Sequence, residues 1–252
     1  MRLMHPLRAA EAVRETFDVG RRADGSPLAV DLARPARPGP WPVALLVHGP
    51  VPDAMRVTMR TAPMYRDWAA ALAASGVASL VFDHTLGWPQ LRLDQALGEV
   101  DQVLAWVGAE GRGLGLDLAR VTAVLVSGGA VLAGELLGGV RPLRPQRAAL
   151  VSPVVGAPPG LGVSAADLVR RMSLAAAAPT VAAAGARLLI LRAGGDQPDW
   201  LAMLDEAVAA LLAADADLIV DNRPGAPHGY ELALDDGRTR TAIEKVLALA
   251  AA

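Results

Sequence analysis

Residues 121–137 read VTAVLVSGGAVLAGELL. VTAVLV (121–126) is an unbroken apolar run of the length and β-branched content expected of a strand buried on both faces. GAVLAGELL (129–137) reads as a helix, so Ser127 falls on the turn between the two. A strand that runs through a glycine-containing turn into a helix is the unit from which parallel sheets are built.

The pattern repeats outward from this point. VALLVH (43–48), VASLVFD (77–83), AALVSPVV (148–155), RLLILRA (187–193) and DLIVD (217–221) are further apolar strands. MYRDWAAALAAS (64–75), WLAMLDEAVAALLAAD (200–215) and RTAIEKVLALA (240–250) read as helices between or after them. In QLRLDQALGEVDQVLAWV (90–107), Leu93, Leu97, Val100, Val103, Leu104 and Val107 recur at helical spacing and mark a buried stripe. The first forty residues suggest an edge hairpin, RETFDVG and PLAVDLA around the turn ADGS (23–26), and RPARPGPWP (34–42), with four prolines, is a connecting loop. The expected fold is therefore α/β: a mostly parallel sheet covered by helices on both faces, with an N-terminal antiparallel hairpin. Without an internal repeat or linker, residues 1–252 are expected to form one domain. The irregular stretch 156–186 is either a small helical cap over the carboxyl ends of the strands or an excursion packed on the sheet edge.

Bulk properties narrow the function. The chain has 252 residues, a formal net charge of −2 and no long single-sign run, which disfavours a nucleic-acid groove or an anionic-membrane patch. It has no cysteine, which removes disulfides, thiolate metal sites and a cysteine nucleophile. SLAAAAPTVAAAGA (173–186) is interrupted by Pro179 and Gly185 and is too short to span a bilayer. MRLMHPLRAAEAVRETF contains no uninterrupted apolar core of a signal peptide, so a cytoplasmic location is expected. Histidine spacing supports no metal site, and no cofactor is expected. Oligomeric state is left open.

Three residues follow apolar strands in the order nucleophile, acid, base: Ser127, Asp196 in RAGGDQP (192–198), and His228 in RPGAPHGY (223–230). A serine hydroxyl becomes nucleophilic when an imidazole can take its proton, and the imidazole needs a carboxylate to set its tautomer and stabilise its charge. Asp199 is a competing acid. Ser152 is a poorer nucleophile candidate, because Pro153 removes the amide that should follow it. Ligands of open parallel sheets bind beyond the carboxyl ends of the strands, where all three residues are expected.

Four short motifs, HG at 48–49, SGG at 127–129, RAGGDQP and RPGAPHGY, make most of the chain resemble the α/β-hydrolase superfamily and within it the dienelactone-hydrolase-like branch, in a serine-nucleophile variant. The resemblance implies Ser127 as nucleophile, Asp196 as acid, His228 as base, and cofactor-free hydrolysis of a small-molecule ester or lactone through an acyl-enzyme. It implies an oxyanion hole from the amide of Gly128 and, because Pro50 after HG has no N–H, from Val51. Leu125 stands where a small residue usually relieves crowding at the serine turn, so either a shifted helix or a less sharp turn is expected there. His48, Asp53, Arg56, His84, Trp88 and Tyr230 form a candidate substrate-facing set, with His48 also expected to brace the loop that follows it. Acyl transfer, thioester or peptide hydrolysis would use the same triad. A non-catalytic binding or scaffolding protein on the same fold is the rival of a different class.

Overall fold

A computed structural model describes residues 2–4, 12–88, 90–157 and 166–252, without the side chains of residues 56, 57 and 88. An eight-stranded sheet runs in the order β1 (Val13–Arg21), β2 (Pro27–Arg34), β5 (Ala78–Phe82), β3 (Trp41–Val47), β7 (Leu116–Val126), β8 (Arg147–Val151), β9 (Arg187–Ala193), β10 (Leu218–Arg223). The hairpin β1–β2 is antiparallel, as is the β2–β5 pair, and every pairing from β5 to β10 is parallel.

Successive residues of a strand point to opposite faces, so an all-apolar strand feeds two cores. Leu45 and Leu125 enter the cluster under α2 (Leu93–Glu110), α3 (Ala133–Gly138), α5 (Leu174–Ala183) and α6 (Pro198–Ala213). Leu46 and Val124 enter the other, against Trp68 and Leu72 of α1 (Pro63–Ala74) and Ile243 and Val246 of α8 (Gly237–Ala251). Gly76, at φ +83°, lets the chain leave α1 and turn directly into β5.

Within 156–186, residues 158–165 lie outside the described residues. The rest forms α4 (Ala166–Met172) and α5, with Ser173 capping α5 by accepting from the amide of Ala176. Pro179 lies inside α5, which continues through it. This helix packs closely on α3: a Cβ on Gly134 would come within 2.6 Å of Ala177, and one on Gly138 within 2.6 Å of Thr180. Two short strands, β4 (Val51–Pro52) and β6 (Gly87–Trp88), form a separate two-residue parallel ladder that joins the loops after β3 and β5. Among the described residues no helix is long and apolar enough to cross a membrane.

Candidate active site

Ser127 terminates β7 with φ +54°, a left-handed conformation that is costly for a residue with a side chain. The turn is held from two sides. Val154 donates its N–H to the Ser127 carbonyl at 3.1 Å, and the chain winds as a 3₁₀ segment (Ser127–Leu132) before α3 begins. Leu125 is fully buried in the same apolar cluster as the residues of α3, and the α-helix after the turn begins only at Ala133, beyond the 3₁₀ segment. Close approach is secured by the glycines instead: a Cβ on Gly129 would lie 2.7 Å from the carbonyl oxygens of both Val47 and His48, and one on Gly128 2.5 Å from Pro50 Cδ.

Asp196 and His228 arrive on two loops that dock through their backbones. Gly194 and Gly195 donate to the carbonyls of Arg223 and Ala226 at 2.9 and 2.8 Å. Side chains would prevent this, since a Cβ on Gly195 would come within 2.7 Å of the Gly225 carbonyl. The result is a hydrogen-bonded chain of three side chains: Ser127 Oγ lies 2.7 Å from His228 Nε2, and His228 Nδ1 lies 2.6 Å from Asp196 Oδ2. A carboxylate can only accept, so Nδ1 carries the proton and Nε2 presents its lone pair to the serine hydroxyl. Asp196 is nearly buried, and its other oxygen accepts from the amide of Gln197 at 2.8 Å. The competing Asp199 is exposed in the first turn of α6.

Gly49 lies over Ser127. A Cβ there would be 3.2 Å from the Gly128 amide nitrogen and 3.6 Å from Ser127 Oγ, so glycine at 49 keeps open the space that this amide faces. Val51 leaves the expected donor set. In its parallel bridge with Gly87, one of the two possible patterns needs an N–H from Pro52, which has none; the other engages the Val51 N–H with the Leu86 carbonyl.

The candidate substrate-facing residues separate sharply. His48 is 2% exposed and donates from Nδ1 to its neighbour's carbonyl, Gly49 O, at 2.7 Å, so it braces the loop. His84 is fully buried, stacks on His48 at 3.6 Å between ring centroids, and accepts from the Leu86 amide at 3.3 Å. Neither can touch a substrate. Burial pushes the His48 imidazole down to about 4, and His84 well below its ordinary value, so both rings are neutral. Tyr230 is likewise a core residue, 0% exposed, with Arg223 over its ring. Asp53 is held by two 2.7 Å hydrogen bonds from Arg92, which fasten together the loops joined by β4 and β6. The side chains of Arg56 and Trp88 lie outside the described residues.

Two further residues reach these three side chains, Trp200, which the sequence did not single out, and Gly49, which it gave only as part of a motif. Trp200, in the first turn of α6, stands edge-on to the His228 ring with centroids 4.8 Å apart. Gly49 belongs to the HG motif, whose spacing after a strand was the available signal. Among the described residues no group of three or more histidine, aspartate or glutamate side chains is placed to hold a metal ion.

The chain matches no family profile and no curated protein sequence. It is similar in structure to an esterase from Rhizomucor miehei, with TM-score 0.73 and 16% identity over 97% of this chain and 84% of that one. Carboxyl esterase 2 from Tuber melanosporum has TM-score 0.72 and 16% identity over 98% and 90% of the two chains. Esterase LipW from Mycobacterium marinum has TM-score 0.68 and 21% identity over 96% and 82%. The chain thus has the α/β-hydrolase fold of these esterases, including the N-terminal antiparallel hairpin.

Proposed function

We propose that the protein is a single-domain serine hydrolase of small-molecule carboxylic esters or lactones, as the dienelactone-hydrolase-like motifs imply. The hydrogen-bonded chain Ser127–His228–Asp196 carries this reading. Ser127 Oγ attacks the ester carbonyl carbon while His228 Nε2 takes the hydroxyl proton. Asp196, accepting from Nδ1–H, holds the tautomer and stabilises the imidazolium. The tetrahedral oxyanion sits over Gly49 and accepts from the Gly128 amide. Gly49 is the second donor of the proposal, because Pro50 has no N–H and that of Val51 is engaged. Collapse expels the alcohol, protonated by His228. A water deprotonated by the same imidazole then cleaves the acyl-Ser127 ester. The chemistry needs no metal or organic cofactor.

The rival, a binding protein on a hydrolase fold, draws support from Pro50 and from the engaged Val51 amide, since losing one oxyanion donor costs about 3 kcal/mol of transition-state stabilisation. A fluorophosphonate probe separates the two. Labelling of the wild type, p-nitrophenyl acetate turnover, and loss of both in Ser127→Ala are expected of the hydrolase. An unlabelled, inert wild type refutes it.

A further inference from the structure

Ser152 and Glu231 lie behind the triad and have no part in the steps above. Val126 pairs with Val151, which sets Ser152 beside Ser127 at the ends of adjacent strands. Ser152 has φ +44°, the same costly left-handed region as the nucleophile, and its Oγ donates to Glu231 Oε2 at 2.9 Å. Both residues are 1% exposed. Glu231 opens α7 (Tyr230–Ala233), three residues after His228, and its backbone carbonyl accepts from the amide of Met4.

Titratable groups face this carboxyl from several elements: His228 and Tyr230 from its own segment, Asp196 from the loop after β9, and Tyr65 from α1. Burial, above all, and the Asp196 carboxylate push Glu231 above its ordinary value, against the opposing pull of its own backbone amide, the Ser152 hydroxyl and the His228 ring. A buried carboxyl is expensive to ionise, and one placed near a second acid, Asp196, more so, so what holds it there is its hydrogen bond from Ser152 and the groups that face it.

Resting on the hydrolase reading, we propose that Glu231, pinned by Ser152, is a positioning residue that holds the His228–Gly229–Tyr230 turn and sets a second carboxylate behind the Asp196–His228 pair, favouring the imidazolium that forms as Ser127 loses its proton. Glu231→Gln keeps an acceptor for Ser152 but removes the charge. It is expected to lower the His228 titration point, moving the acid limb of kcat/KM for p-nitrophenyl acetate downward by about half a pH unit, with kcat reduced several-fold and KM little changed. The same displacement is read without turnover by NMR titration of ¹⁵N-histidine-labelled protein, where only four histidines contribute. Ser152→Ala, which removes the hydrogen bond favouring the anion, should displace the titration in the same direction and serves if Glu231→Gln does not fold. A His228 titration coincident with wild type in the folded variant overturns the proposal, because a purely structural acid would change stability and leave that titration in place. An inert wild type whose His228 titration still moves in the variants refutes the hydrolase reading alone.

Discussion

Substituting Gly49 by alanine tests the oxyanion site directly. The backbone at 49 lies outside the left-handed region, so alanine is conformationally admissible. Restricting the unfolded chain would by itself stabilise the protein by a few tenths to about 1 kcal/mol. The added methyl, however, would stand 3.2 Å from the Gly128 nitrogen and 3.6 Å from Ser127 Oγ. An oxyanion accepting from that amide needs to lie at about 2.9 Å, so methyl and oxyanion compete for one volume. Loss of one donor costs about 3 kcal/mol, equivalent to a fall in kcat/KM of about 10²-fold. The measurement is p-nitrophenyl acetate kcat/KM against a Ser127→Ala background, together with urea unfolding. Fluorophosphonate labelling should slow in parallel, because phosphonylation also builds charge on an oxygen at this point. A Gly49→Ala variant with wild-type stability and activity within fivefold of wild type would refute the placement of the oxyanion.

Gly129→Ala should behave in the opposite way, losing stability first. Its Cβ would meet two backbone carbonyls at 2.7 Å, which no rotamer change can relieve, so a loss of about 1–3 kcal/mol or more is expected in urea unfolding. The buried histidines predict an acid-sensitive fold. Between pH 6.5 and about 4 the unfolded chain binds a proton that folded His48 refuses, so this group's contribution is complete above pH 6.5 and declines as pH falls toward 4. Its share of the loss between pH 7 and pH 5 is about 2 kcal/mol, and His84 acts in the same direction. Urea midpoints measured at the two pH values should therefore differ, and His48→Gln should narrow the difference; an unchanged difference would show that His48 is not the group responsible.

Most strands of the sheet and the longer helices were legible in the sequence, because burial on two faces demands unbroken apolar strands and a single apolar stripe demands helical spacing. Both are local signals. The 3₁₀ segment before α3, the helices α4 and α5 and the β4–β6 ladder were not legible. RLLILRA (187–193) corresponds to β9 (Arg187–Ala193), and helix 200–215 is displaced by two residues from α6 (Pro198–Ala213). That Ser127, Asp196 and His228 would meet was legible for the same reason, since each follows a strand end and parallel strands share one carboxyl edge. What neighbouring strands and loops do to each other was not legible. How far beyond Ser127 the α-helix begins was decided by packing around the buried Leu125, and Val51 looked available until β4 paired with β6. His84 and Tyr230 had the chemistry of site residues but faced inward. The Asp53–Arg92 pair spans 39 positions and the Ser152–Glu231 bond 79, distances over which no periodicity carries information. Composition and spacing decide which residues reach the sheet edge. Only the packed chain decides which amide stays free, which carboxylate is already held, and which glycine leaves room above Ser127.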